Sequence, residues 1–150
     1  MANMVEIRLH TLTCEFAGDD GDDLELAGVF KAETFDTESA IKTSTVIFDF
    51  PNGPIRLRKG ESATIDQAVR VVLRSPGDDP PDAGELFVRF GGDLIEKDTT
   101  PDTDDSLGTE WQIQHVTDII NSTPFIWHLY FGRGSQVARA DISSVFAHPL

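Results

Sequence analysis

The chain has 150 residues, close to the size of one ordinary domain and too short for two sizeable cores. Twelve Lys and Arg against 26 Asp and Glu leave a net charge of -14, which speaks against a protein that gains affinity by neutralising phosphates, so no nucleic-acid partner is expected. The apolar share, 39%, is enough for a folded core, yet no apolar run approaches the ~20 residues of a membrane span. In chain order, Met1 to Val5 lacks a basic region followed by a long apolar stretch, so no secretory signal is expected. Val5, Ile7 and Leu9 alternate with polar residues, the period of a half-buried strand. Cys14 follows as a small buried hydrophobe; a single cysteine cannot close an internal disulfide and fits a reducing, cytoplasmic setting. Leu24, Leu26 and Gly28 to Phe30 form a second strand, and Val46, Phe48 and Phe50 a third. Pro51-Asn52-Gly53-Pro54 is expected to break the chain before a strand at Ile55 and Leu57. Ile65 to Val72 has a weak helical spacing, but its valines favour a strand through Val69, Val71 and Leu73. Leu86, Val88 and Phe90 follow, with Gly91-Gly92 read as a β-bulge. His115 to Ile120 holds a turn or two of helix; Phe125 to Phe131 is a strand, and Gly132-Arg133-Gly134 turns it into a last one over Val137 to Ile142.

About eight short strands with turns between them, no repeat and no linker describe a single all-β domain over 1–150, an antiparallel β-sandwich. The acids are unevenly placed. Six fall between Glu15 and Glu25, four between Asp78 and Glu85, and seven between Asp93 and Glu110, each group next to a strand end. Carboxylates crowded into a loop resist joint ionisation, and a bound cation relieves that repulsion. Several oxygen ligands in flexible loops suit Ca²⁺ better than Mg²⁺. The strand before Glu96 is about ten residues long, so the Asp78, Asp79 and Asp82 loop must lie ~30 Å away at the other end of the sandwich, a proline-stiffened solvated connection. Acidic turns that serve only solubility are the alternative for the other two loops as well.

Glu96, Asp98 and Asp104 fall at i, i+2 and i+8, with Asp105 next and Gly108 shortly after. This pattern resembles the third calcium-binding loop of C2 domains, with Glu96 where the family usually has Asp. Asp20-Gly21-Asp22-Asp23-Leu24-Glu25-Leu26 resembles the first such loop, although the usual Asp-Pro-Tyr is replaced by Asp23-Leu24-Glu25. The resemblance covers about 25 residues at the two ends of a longer framework. It implies an eight-stranded C2-like sandwich that binds Ca²⁺ through Asp20, Asp23, Glu96, Asp98, Asp104 and Asp105 and docks on a protein or on phospholipid.

With Ile55, Leu57, Val69, Val71, Leu73, Leu86, Val88 and Phe90 facing the core, alternation turns Arg56, Arg58, Arg70, Arg74 and Arg89 outward. They could form one basic stripe for an anionic lipid surface, or an ordinary polar face with each arginine paired to an acid. Phe16 is the only large apolar candidate for insertion in the first acidic loop and the third offers Thr99, Thr100 and Pro101, which makes a protein partner the better expectation than bilayer insertion. No enzyme is expected. Asp141, Ser143 and His148 are near in sequence without being a triad, there is no nucleophile elbow or phosphate loop, and His115 and His128, beside Trp111 and Trp127 on apparent strands, read as structural. The runner-up functions are a metal-free structural or assembly subunit with Phe and Trp on an exposed edge or face, and a small carbohydrate-binding module using Trp111, Trp127 or Tyr130.

Overall fold

A computed structural model describes residues 2–18, 23–36, 40–74, 84–97, 105–121 and 124–149. Eight strands, β1 (Ala2–Ala17), β2 (Leu24–Phe35), β3 (Ile41–Leu57), β4 (Ser62–Arg74), β5 (Phe87–Glu96), β6 (Asp105–His115), β7 (Phe125–Arg133) and β8 (Gln136–Pro149), form two antiparallel sheets. The first has the order β4-β1-β8-β7 and the second β3-β2-β5-β6. One short helix, α1 (Val116–Asn121), links β6 to β7, where the sequence placed a turn or two of helix. The core lies between the sheets: Val5, Ile7, Leu9, Leu12, Leu26, Phe30, Phe90, Leu94, Phe131 and Ile142 are fully buried in it. Cys14 is buried among them, and burial pushes its thiol pKa up.

The alternation that marks β1 changes phase after Leu9. Residue pairing to both neighbours shifts between Leu9 and Thr11, so His10 is an extra residue that moves the inward positions from Val5, Ile7 and Leu9 to Leu12 and Cys14. On β4 the facing bulge puts Asp66 at φ 51, a left-handed conformation that Asp tolerates better than most residues, with its carboxylate 2.6 Å from Arg8 Nη1.

The strand count is reached by a different division from the one expected. Pro51-Asn52-Gly53-Pro54 does not separate two strands: Phe50 pairs with Gly28 and Ile55 with Leu26, so the four residues form a bulge within β3. Prolines are tolerated there because β3 is an edge strand and needs hydrogen bonds on one side only. The segment 65–72 is strand throughout, and β6 supplies the remaining strand, beginning at Asp105. Gly91-Gly92 is no bulge. β5 pairs with β2 without a break, and its shift against β6 falls later, between Leu94 and Ile95. A Cβ on Gly91 would stand 2.0 Å from the Glu110 carbonyl oxygen, and one on Gly92 1.9 Å from that of Val29, so these glycines permit close approach of three backbones.

Candidate functional site

Successive antiparallel strands reverse direction, so the β1–β2, β3–β4, β5–β6 and β7–β8 connections all meet at one end of the sandwich. The pairings agree: Ala17 is opposite Gln136, Thr13 opposite Ser62, Leu24 opposite Leu57, and Glu96 lies between Leu26 and Asp105. Both acidic stretches proposed to hold Ca²⁺ therefore flank the same end. Arg74 and Glu85, which bracket the Asp78, Asp79 and Asp82 segment, lie at the other; those three acids are outside the described residues.

Of the six expected ligands, Asp23, Glu96 and Asp105 are described, and Asp20, Asp98 and Asp104 lie outside the described residues. Glu96 ends β5 as a buried residue and its Oε2 accepts a hydrogen bond from Gln136 Nε2 at 3.1 Å. Asp105 is exposed, directly opposite it across the β5–β6 ladder. Asp23 is half-buried before β2, its carboxylate 3.8 Å from Arg58 Nε. Among the described residues no three His, Cys, Asp or Glu side chains form a group able to hold a metal. Asp23, Glu96 and Asp105 carry the oxygen donors that a hard cation takes.

The middle connection, Arg58 to Glu61, is held rigidly. Cys14 donates its N–H to the Glu61 carbonyl and accepts from Gly60 N, while Arg58 N donates to Glu61 Oε1 at 3.0 Å. Lys59 stands 5.1 Å from the centre of the Phe16 ring, so a cation already lies over the one large apolar side chain expected at this end. A depression of about 550 Å³ runs beside the third connection, bounded by Asp105, Leu107, Thr109, Glu110, Gly132 and Gln136. Gln136 went unrecognised in the sequence and Arg58 was read only as one of five outward arginines, although the parity of strand direction alone puts their turns beside the acids.

The five arginines do not share a face. Arg70 and Arg74 are on β4 in the first sheet, Arg56 and Arg89 on β3 and β5 in the second, and Arg58 follows β3. Each meets an acid: Arg56 with Glu25 at 2.6 Å, Arg58 with Asp23, Arg70 with Glu6 at 3.6 Å, Arg74 with Glu85 at 2.6 Å and Arg89 with Glu33 at 2.5 Å. This corrects the single basic stripe and matches the paired alternative. The Arg89 guanidinium also lies 4.1 Å from the Trp111 ring centre, covering a face that a sugar would need. Trp127 packs against the core, whereas Tyr130 is exposed.

Asp141 and Ser143 are in contact with different histidines. Asp141 Oδ1 lies 2.5 Å from His128 Nδ1, and Ser143 Oγ lies 2.7 Å from His10 Nε2. Ser143 is buried, so this pair does not present a nucleophile to solvent.

No family model and no curated protein matches the chain. Solved structures share its fold. The C2A domain of a plant extended synaptotagmin 1 superposes with a TM-score of 0.51 at 8% identity, over 99% of this chain and 95% of that one. Human GIVD cytosolic phospholipase A2, in complex with a fluorophosphonate inhibitor and terbium chloride, gives 0.52 at 8% identity, over 99% of this chain and 18% of that one. CC2D1B gives 0.55 at 11% identity, over 98% and 56%. The chain thus matches nearly all of the plant domain, about half of CC2D1B and under a fifth of the phospholipase. It is an all-β protein with a C2-like antiparallel sandwich, the fold its acidic loops resemble.

Proposed function

We propose that the protein is a cytoplasmic, non-enzymatic C2-like interaction module, one domain over 1–150, which binds Ca²⁺ at the four-loop end and meets a protein partner there. The observation that carries this reading is the convergence of the two acidic connections, with Glu96 and Asp105 on directly paired positions. Asp23, Glu96 and Asp105, with Asp20, Asp98 and Asp104, would hold the ion; Ca²⁺ would supply charge neutralisation. A protein is favoured over anionic lipid because all five arginines are engaged by acids of their own chain and Phe16 lies under Lys59. Among the described residues no helix is long and apolar enough to cross a membrane.

Thermal unfolding in Ca²⁺, in Mg²⁺ and in excess chelator, at matched ionic strength, tests the metal. An ion at ~100 times its dissociation constant adds about 2.7 kcal/mol, roughly 5–10 °C for a chain this size. Ca²⁺ should raise Tm by that order, Mg²⁺ much less, and Asp23→Asn combined with Asp98→Asn should remove the rise. Identical melting curves up to millimolar Ca²⁺ would overturn the proposal.

A further inference from the structure

The bulge at Pro51-Asn52-Gly53-Pro54 carries the chain's one Asn-Gly pair; the other asparagines, Asn3 and Asn121, precede Met4 and Ser122. The side-chain amide of an asparagine is a latent electrophile, and the backbone nitrogen of the next residue is the nucleophile nearest to it. Glycine in the second position leaves that approach open, because it has no Cβ and the widest choice of backbone angles. A fold that permits the reaction must keep the asparagine in reach of water and must not clamp the backbone after it between neighbouring strands.

Both conditions hold at Asn52. Pro51, Asn52 and Pro54 are exposed. Pairing with β2 steps from Phe50 opposite Gly28 to Ile55 opposite Leu26, so the four residues stand against Ala27 alone and none is in register with it. β3 is outermost in its sheet, so no strand of that sheet pairs with the other side of the bulge. Asn3 is the opposite case: it pairs with Leu73 on β4 and with Pro149 on β8 at once, and the residue after it carries a Cβ beside the nitrogen. The flanks of the bulge are fixed. Phe50 and Leu57 are buried and Ile55 packs against the core, so a change of chain path between them stays within the bulge.

We infer that Asn52 is a site of spontaneous deamidation, a slow modification of the folded chain whose co-reactant is water. The Gly53 nitrogen gives its proton to base and its electron pair attacks Asn52 Cγ. The Cγ–Nδ2 bond breaks, Nδ2 takes up a proton and leaves as ammonia, and a succinimide ring has closed. Water then opens the ring. Addition at Cγ breaks the new Cγ–N bond and gives aspartate. Addition at the main-chain carbonyl breaks the original peptide bond to Gly53 and leaves the chain running through Cβ and Cγ, as iso-aspartate. Either product adds one negative charge to the -14 of the sequence. Iso-aspartate also adds a methylene to the backbone, which a bulge on an edge strand absorbs where a ladder residue would lose its register. The reaction is independent of bound calcium.

The full chain, held for days at about pH 8 and ~37 °C beside a synthetic peptide of residues 47–57, tests this by peptide mass mapping and anion-exchange chromatography. The protein should yield a later-eluting form ~1 Da heavier, or ~3 Da heavier in oxygen-18 water, with the gain confined to Asn52 and split between aspartate and iso-aspartate. Its rate should lie within ~30-fold of the peptide's, which corresponds to a local opening of at most ~2 kcal/mol. Asn52→Gln should remove the gain over the same days, and Gly53→Ala, which sets a Cβ beside the nucleophile, should slow it about tenfold or more. Asn52→Asp should match the aspartate product in elution and keep the wild-type circular dichroism. Conversion more than ~30-fold slower than in the peptide overturns the inference, since β3 would then hold the Gly53 nitrogen away from the amide. So does a mass gain that Asn52→Gln leaves in place or that maps to Asn3 or Asn121.

Discussion

Asp141 joins three strands of the first sheet through one carboxylate. Thr11 Oγ1 on β1 donates to Oδ2 at 2.8 Å, Arg139 Nε on β8 donates to Oδ1 at 3.1 Å, and His128 on β7 lies 2.5 Å from Oδ1. Arg139 continues the network to Glu15 at 2.6 Å. Burial by itself pushes the Asp141 carboxyl up; the hydrogen bonds from His128 and Thr11 and the charges of Arg139 and His128 together outweigh it, so its pKa lies below the usual aspartate value. A carboxyl with a depressed folded pKa contributes stability that is present above its unfolded value, about 3.9, and is lost as pH falls through the folded one. Asp141→Asn should cost about 1–3 kcal/mol at pH 7, by analogy with other part-buried charged hydrogen bonds. The gap between wild type and variant, read by urea unfolding, should narrow as pH drops below about 4. A gap of constant size from pH 7 to pH 3 would show that the ionised carboxylate contributes nothing.

At the scale of elements, β5 depends on glycines that carry no side chain at all. Gly92→Ala would put a methyl group against the Val29 carbonyl oxygen, backbone that cannot yield without parting β5 from β2. The expected loss is above about 3 kcal/mol, in the range of severe single substitutions. Gly60, at φ 84 in the β3–β4 turn with nothing within 4 Å of an added Cβ, is the control; Gly60→Ala meets only the backbone penalty, about 1 kcal/mol. Comparable melting temperatures for the two variants would mean that β5 can shift. These glycines also show what was legible beforehand. Val5-Ile7-Leu9, the Leu24 to Phe30 run and the Phe125 to Phe131 run declare strands because one face of each is buried. No local pattern reveals that His10 resets the phase of β1, that an edge strand absorbs Pro51 and Pro54, or that Gly91-Gly92 serves close packing and not a bulge, since each depends on a neighbouring strand. The candidate site divides the same way. Its location follows from the acids and from strand parity, whereas the Gln136–Glu96 bond and the Arg58–Asp23 contact join residues 40 and 35 positions apart and leave no local pattern.

At the scale of the whole molecule, charge sets two opposing effects that salt can separate. The excess of carboxylates, net -14, repels itself in the compact state, and that repulsion is long-ranged and readily screened. Opposing it are local ion pairs. Several of these are partly exposed: Arg56, Arg58, Arg70 and Arg74 have side chains 50–80% accessible, and pairs of this kind contribute little in water. Arg89–Glu33 is better enclosed, at 26% and 10%, and its stacking on Trp111 is largely independent of salt. Repulsion should therefore be the larger salt-sensitive effect, and sodium chloride should raise Tm by a few degrees between ~10 mM and ~0.5 M, most of it in the first ~0.15 M as the screening length falls from ~30 to ~8 Å. If Tm falls instead, the ion pairs outweigh the net charge and the acidic loops are already compensated within the fold, leaving little electrostatic demand for a bound cation. If Tm rises, the same titration supplies the baseline on which a Ca²⁺-specific shift at the four-loop end must stand out.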